Sequence, residues 1–257
     1  MITAGIDCGA KNTKTVLLKD GRVIVKAAVM TGFYPAQSAM SSLNKALQAA
    51  GIARRDIQRI CGTGAGKESI ALADEDVNDI TAMSKAAAFF FSTARTVADV
   101  GAEEGLAARI DENGNPIDFV VNERCAAGAG IFIEAMARAL EVTIEEMGSL
   151  SLQSSTKIPI NAQCVIFAES EVVGLLHAKT EKSDISRAVH DAMAGRIASM
   201  IRRIGIKQDL VVLGGVAYNR GFMTALRREL KIDSILVPDE PEYGAAVGAA
   251  VAAAEAT

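Results

Sequence analysis

Tryptophan is absent from this chain of 257 residues, and aromatic residues make up only 4% of it. The 50% hydrophobic share therefore comes mainly from small and β-branched side chains. Such a composition suits stacked α/β layers, and the length suffices for one large or two modest cores. Strong charge of one sign is missing too. A net charge of −4 gives no electrostatic footprint for nucleic acid. No apolar run approaches the ~20 residues of a membrane-spanning helix. The stretch 86–91 is too short, and the alanine-rich stretch 245–253 is only weakly hydrophobic. The first residues, Met1 to Asp7, place no basic region ahead of an apolar one, so they read as a strand start rather than a signal peptide. Four cysteines are too few for a disulfide framework in a chain this long. The expected compartment is the reducing cytoplasm, where cysteine more often binds metal or does chemistry. The two histidines, His177 and His190, fall in helical stretches and read as packing or surface groups.

Two of the cysteines sit in suggestive surroundings. Cys125-Ala126-Ala127-Gly128-Ala129-Gly130 runs into a helical pattern over 131–140. Cys164-Val165-Ile166-Phe167-Ala168-Glu169-Ser170-Glu171 runs into another over 172–177. A sulfur near a helix N-terminus is favoured as thiolate. Two thiolates are half the ligand set of a four-iron cluster, and a symmetric pair of chains would complete it. Taken alone, the local sequence favours the plainer reading of two buried free thiols. Cys8 falls in a glycine-bearing loop and Cys61 at a strand end.

Strand and turn signals organise the first half. Residues 2–7, 13–18 and 23–30 read as strands with a turn at Asp20-Gly21. Pro35 opens a helix that Gly51 stops, and 57–61 read as a further strand. The pattern then recurs: strands at 96–100, 106–110 and 117–121, with Asn113-Gly114 as the turn. Asp7-x-Gly9 and Asp99-x-Gly101 hold matching places, which points to duplication of one module and a boundary near residue 95. The expected domains are 1–95 and 96–257, with the last helix packing back on the first. Beyond Cys125 the pattern is mostly helical, with a late strand at 211–213.

Gly62-Thr63-Gly64-Ala65-Gly66-Lys67-Glu68 invites comparison with a P-loop. It lacks the leading glycine, where Cys61 stands, and the terminal Ser or Thr, where Glu68 stands. It reads as a flexible loop after a strand. The hairpin loop Gly9-Ala10-Lys11-Asn12-Thr13-Lys14 suits phosphate better. Gly9 permits close approach, successive N–H groups can form an anion nest, and Lys11 or Lys14 adds charge. Asp7 at a strand end can hold Mg²⁺ through water. Asp99, Gly101 and Ala102 form the facing copy, and Gly214-Gly215-Val216 with Asn219 can admit adenine or ribose.

This order of motifs resembles the actin-like ATPases, a superfamily that includes sugar kinases and heat-shock chaperone ATPases. Gly5-Ile6-Asp7-x-Gly9, Thr63-Gly64-x-Gly66, both cysteine motifs, Gly214-Gly215-Val216-Ala217-x-Asn219 and Gly244-Ala245-x-x-Gly248-Ala249 together resemble one family. It comprises ATPase subunits of benzoyl-CoA reductase and activators of 2-hydroxyacyl-CoA dehydratases. The resemblance implies a duplicated two-domain α/β fold, actin-like (ribonuclease H-like), binding Mg²⁺ and ATP. It implies one [4Fe–4S] cluster shared between two subunits, unequal or identical, with Cys125 and Cys164 as this chain's ligands. It further implies ferredoxin or flavodoxin as electron donor and a reductase or dehydratase as acceptor, with no nucleic acid or membrane partner. Asp7, Asp99 and Glu103 are the expected catalytic groups, and Gly244 joins the nucleotide-binding set.

One departure stands out. The family's second phosphate motif usually reads Asp-Ile-Gly-Gly-Gln-Asp, and here it is Asp99-Val100-Gly101-Ala102-Glu103-Glu104. Ala102 crowds the approach to phosphate, and Glu103 replaces an amide with a charge near a polyanion. Such changes suit one member of an unequal pair, so the expectation leans to a benzoyl-CoA reductase ATPase subunit, with a homodimeric dehydratase activator as the alternative. An actin-like small-molecule kinase and a slow assembly ATPase are the remaining readings; neither accounts for the paired cysteine motifs. The pairs Arg202-Arg203 and Arg227-Arg228 read as solvated charge or partner-facing patches.

Overall fold

The structure, a computed structural model, describes residues 1–122, 130–160 and 164–256. Cys125, with the rest of 125–129, and Ala162 and Gln163 of the second cysteine motif lie outside the described residues.

Two sheets form, each built in the same way. In the first, β1 (Ile2–Cys8), β2 (Asn12–Lys19) and β3 (Arg22–Met30) make an antiparallel meander. The chain crosses through α1 (Pro35–Ala50) and returns as β4 (Arg59–Thr63), parallel to β1. A two-residue strand, β5 (Glu75–Asp76), extends that edge. In the second sheet, β6 (Thr96–Val100), β7 (Gly105–Ile110) and β8 (Pro116–Val121) repeat the meander. The chain returns as β9 (Leu210–Leu213), parallel to β6. The orders are β3-β2-β1-β4-β5 and β8-β7-β6-β9. In each sheet the first strand of the meander is central and bears the Asp of the Asp-x-Gly motif.

The helices follow from caps and apolar stripes. Pro35 opens α1 with its fixed φ, and Gly51 ends it in the left-handed conformation, its N–H reaching the carbonyl of Gln48. The Asn78 side chain accepts the Thr81 N–H to start α2 (Asp79–Phe90). Beyond β8 come α3 (Gly130–Ala139) and α4 (Ile144–Ser151), the latter begun by a Thr143–Glu146 capping box. Next are α5 (Val165–His177), α6 (Lys182–Ile204), α7 (Arg220–Leu230) and α8 (Gly244–Glu255). The helix after Cys164 thus begins at Val165 rather than at 172. The β-branched and aromatic residues Val165-Ile166-Phe167 obscure its start in the sequence, since both fit a strand as well as a helix.

Both sheets are covered on two faces. Leu43 and Leu47 of α1 pack with Ile6, Leu17 and Ile60 on one face of the first sheet, and α8 covers the other through Val247, Ala249 and Ala253. On the second sheet, Met83 and Ala87 of α2 meet Val97, Ala108 and Val211. Its opposite face carries the largest cluster, where Phe132, Met136, Val189, Met193 and Phe222 of α3, α6 and α7 pack on Ala98, Val100 and Val212. Helices α2 and α8 pack against each other between the sheets. Their approach is close because Gly248 lacks a side chain; a Cβ there would overlap the Ala82 carbonyl. Gly5 serves α8 likewise, facing the backbone of Ala246 and Ala250. The last helix therefore packs back on the first sheet.

Candidate nucleotide site

The cleft between the two sheets is a cavity of about 620 Å³. Its floor is made by the C-terminal ends of the parallel strands, where open α/β sheets hold their ligands. The geometry there is duplicated to the level of single residues. Asp7 lies near the end of β1 and Asp99 near the end of β6, and each packs against a left-handed glycine that follows the parallel neighbour. Gly64, after β4, has φ 90° and faces Asp7 Oδ1 and the Cys8 carbonyl; Gly214, after β9, has φ 86° and faces Asp99 Oδ1 and the Val100 carbonyl. Any side chain at either glycine would fill the space its aspartate occupies.

Residues 62–67 are therefore neither a P-loop nor a loose connection. The Gly66 N–H bonds the Cys8 carbonyl at 2.9 Å, and the segment leads into a short 3₁₀ turn, not an α-helix. The same packing explains Cys8 and Cys61. Both thiols are buried, and burial raises Cys8 and pushes Cys61 up to about 12, so neither is a thiolate at neutral pH.

Lys14 sits opposite Asp7 in the β1–β2 register, on the same sheet face, and its Nζ bonds Asp7 Oδ2 at 2.9 Å. Burial alone would lower Lys14, but Asp7, with Asp99 and Glu242, holds its ammonium above the ordinary value. Asp79, the first residue of α2, completes the group. Burial raises its carboxyl, reinforced by Asp7 and Glu104. Asp99 is pushed up to about 7 by burial, partly offset by Lys14 and reinforced by Asp7 and Asp79. One ammonium among three carboxylates leaves a net negative floor.

Most of the residues expected from the sequence meet at this cleft. Asp7, Gly9, Ala10, Lys11, Asn12 and Lys14 line one wall; Asp99, Gly101, Ala102 and Glu103 face them; Gly214, Gly215, Val216 and Asn219 close the third side. Two do not line it. The Thr13 hydroxyl turns into the sheet toward Thr31 Oγ1 at 3.0 Å, and Gly244 packs against the Leu213 side chain to start α8. Glu103 and Glu104 are exposed at the rim. Asn219 caps α7, its Oδ1 accepting the Phe222 N–H at 3.0 Å. His190 is buried behind it, with Nδ1 against the Ser186 carbonyl, and burial lowers its pKa. His177 is exposed at the end of α5.

Several lining groups escape a reading of the sequence. Asp79 is an example, and so are Tyr218 and Glu242, whose side chains bond each other at 2.6 Å. Glu134 of α3 pairs with Lys11 across the cleft. The Asn78 cap is the one available signal for Asp79; for Glu134 there is none.

Cys164 is exposed and occupies the N-cap position of α5 without a side-chain capping bond. Its neighbours Ile166 and Phe167 are each 70% exposed. Among the described residues, no group of three His, Cys, Asp or Glu side chains converges to hold a metal. None of their helices is long and apolar enough to cross a membrane.

Comparison with known proteins places the chain in a family. The model of the BadF/BadG/BcrA/BcrD ATPase family matches residues 4–253. The chain belongs to this ATPase family. Its relatives in the family include the activator of lactoyl-CoA dehydratase of Anaerotignum propionicum, 38% identical over 100% of this chain and 98% of that protein. A benzoyl-CoA reductase subunit of Thauera aromatica is 31% identical over 97% of this chain and 92% of its own length. Among solved structures, the activator of the 2-hydroxyisocaproyl-CoA dehydratase from Clostridium difficile with bound ADPNP superposes with a TM-score of 0.91. It is 34% identical, and the match covers 100% of this chain and 95% of that one. The fold of this ATPase is thus the duplicated actin-like one.

Proposed function

We propose that the chain is an ATP-driven redox activator, which uses Mg·ATP turnover in this cleft to deliver low-potential electrons to a 2-hydroxyacyl-CoA dehydratase. The duplicated Asp–Gly pairs, Asp7 with Gly64 and Asp99 with Gly214, carry the reading. They present two equivalently placed carboxylates and open backbone to one polyphosphate. The 38% identity with an activator across the full length directs the choice of acceptor.

The donor set fits magnesium. Asp7 lies close enough to Asp79 and Asp99 to raise both, yet the three do not converge as a chelating group. Mg²⁺ favours that situation, since it keeps several waters and takes one or two carboxylates plus phosphate oxygens. Asp7 and Asp99 would hold it, and it would neutralise charge on the transferring phosphoryl group. Lys14, half-buried beside Asp7, positions that carboxylate and adds charge to the floor. The loop at Gly9-Ala10 supplies backbone N–H groups, and Gly214-Gly215 leaves room for the nucleoside. Asp99, beside the ion and lining the cleft, is at hand to orient the attacking water.

Cys164 fits the cluster that the family resemblance implies. It is an exposed thiol at a helix N-terminus, flanked by apolar residues that suit a subunit contact. With Cys125 it would supply two of four ligands, and a second chain the other two. Such a cluster, when bound, supplies a one-electron carrier at the interface. Ferredoxin or flavodoxin is the proposed donor. Closure of the two sheets on nucleotide swings α3 and α5 with the second half of the molecule.

A second reading keeps the chain as one of two unequal ATPase subunits of a benzoyl-CoA reductase. Ala102 and Glu103 on the second phosphate loop favour it. One experiment separates the two. The chain, reduced anaerobically, is added with Mg·ATP to lactoyl-CoA dehydratase lacking its activator. Restored dehydration supports the proposal. Failure there, with restored activity in a benzoyl-CoA reductase lacking the related ATPase subunit, moves the assignment to the second reading.

A further inference from the structure

Both phosphate loops grip the same helix. The second loop does so through the backbone: Gly130 and Ile131, at the start of α3, donate their N–H groups to the carbonyls of Gly101 and Ala102 at 2.8 and 2.9 Å. The first loop does so through one side chain, Lys11, whose ammonium pairs with Glu134 one turn into α3. Lys11 and Glu134 come from opposite walls, and both line the nucleotide cavity. Lys11 is therefore shared ground. It is the cation of the first phosphate loop and also the tie between that loop and the helix that follows Cys125.

We infer that the Lys11–Glu134 pair is a nucleotide-released latch. The inference rests on the ATP reading of the cleft. A polyphosphate carries several negative charges where Glu134 carries one, and it lies beside the loop that holds Lys11. Bound nucleotide draws the Lys11 ammonium off Glu134, and α3 then keeps its backbone tie to the second loop while losing its tie to the first. The first half of the molecule then gains freedom to move against the second half, which carries α3 with it. Lys11 and Glu134 are positioning residues in this scheme, and no bond is made or broken by either.

The test uses Lys11→Gln, Glu134→Gln and the double variant of the full chain, purified anaerobically. Binding of Mg·ADPNP is measured by calorimetry, and hydrogen exchange of α3 amides is followed with and without it. Both side chains are partly exposed, so the amide replacements leave the packing intact. An ion pair of this exposure is worth about a two- to fivefold change in an equilibrium. Glu134→Gln should tighten nucleotide binding by about that factor, and Lys11→Gln should weaken it at least as much. In the Lys11→Gln background, Glu134→Gln should change nothing. Nucleotide should speed exchange in α3 of the unaltered chain, and Lys11→Gln should show the faster exchange without nucleotide. Equal tightening by Glu134→Gln whether or not Lys11 is present would reveal general electrostatics and overturn the latch, as would α3 exchange indifferent to nucleotide. If the unaltered chain binds no Mg·ADPNP, the nucleotide reading itself fails and the latch with it.

Discussion

Replacing Asp99 by asparagine isolates the electrostatic cost built into the cleft floor. In the unfolded chain this carboxyl gives up its proton near the ordinary aspartate value of about 3.9. In the folded chain, half-buried in the cleft floor and facing Asp7 and Asp79, it holds its proton up to about 7. Between those values the native state binds the extra proton, so stability falls as pH rises through the window and levels off above pH 7. At roughly 1.4 kcal/mol per pH unit, the group opposes folding by about 4 kcal/mol at pH 8. Asparagine keeps the shape and carries no charge to bury. Asp99→Asn should therefore match the unaltered chain near pH 4 and exceed its stability by about 4 kcal/mol at pH 8. The assay is urea unfolding followed by circular dichroism across that range, in EDTA and without nucleotide. Mg·ATP should erase the advantage, because it stabilises the ionised carboxylate and binds only where that carboxylate is present. A stability difference that does not vary with pH, or a variant less stable than its parent at pH 8, would refute the reasoning.

Other consequences are direct. Asp7→Ala removes a floor carboxylate and leaves Lys14 without its 2.9 Å partner; phosphate release should fall by about a hundredfold or more while iron content is unchanged. Ala102→Gly with Glu103→Gln removes a charge from the cleft rim where the proposal puts the γ-phosphate. With about 1 kcal/mol for charges 4 Å apart in water, hydrolysis by the isolated chain should rise about fivefold. Fast ATPase in the unaltered chain alone would support the proposed activator, as a homodimer, against the reading as one of two unequal subunits. Gly248→Ala drives a methyl into the Ala82 carbonyl between α2 and α8. Such overpacking costs about 1–3 kcal/mol, and Tm should drop by about 2–12 °C in thermal unfolding.

Much of the fold is visible in the sequence because the strands carry their own punctuation. Alternating β-branched residues, the Asp20-Gly21 and Asn113-Gly114 turns and the recurring Asp-x-Gly place both meanders. The return strands β4 and β9 are also legible, although β4 begins at Arg59 and runs through Thr63 rather than covering 57–61. Helices α2 and α8 are harder. Each is wedged between other elements, so apolar and small residues surround it and no polar stripe marks a helical period. The short strand β5 has two charged residues and no pattern at all. In the site, the glycine-rich loops and Asp7 and Asp99 are readable from local chemistry. Glu134 and Asp79 are not, because their places in the cleft arise from the packing of α3 and α2 across the two sheets. Thr13 shares a sequence run with cleft residues but, as a strand residue, alternates to the inner side of the sheet. Gly64 hides inside a motif that resembles a P-loop and fails as one; its actual role, making room for Asp7, matches that of Gly214 beside Asp99.

The central claim is that this ATPase is a redox protein rather than a kinase or an assembly factor. Iron and acid-labile sulfide, determined per chain after anaerobic purification, test it most directly. One four-iron cluster shared by two chains predicts about two iron and about two sulfide per chain, lost together in Cys164→Ser and in Cys125→Ser. A colourless protein without iron or sulfide, or a full iron complement retained in both variants, would contradict the account.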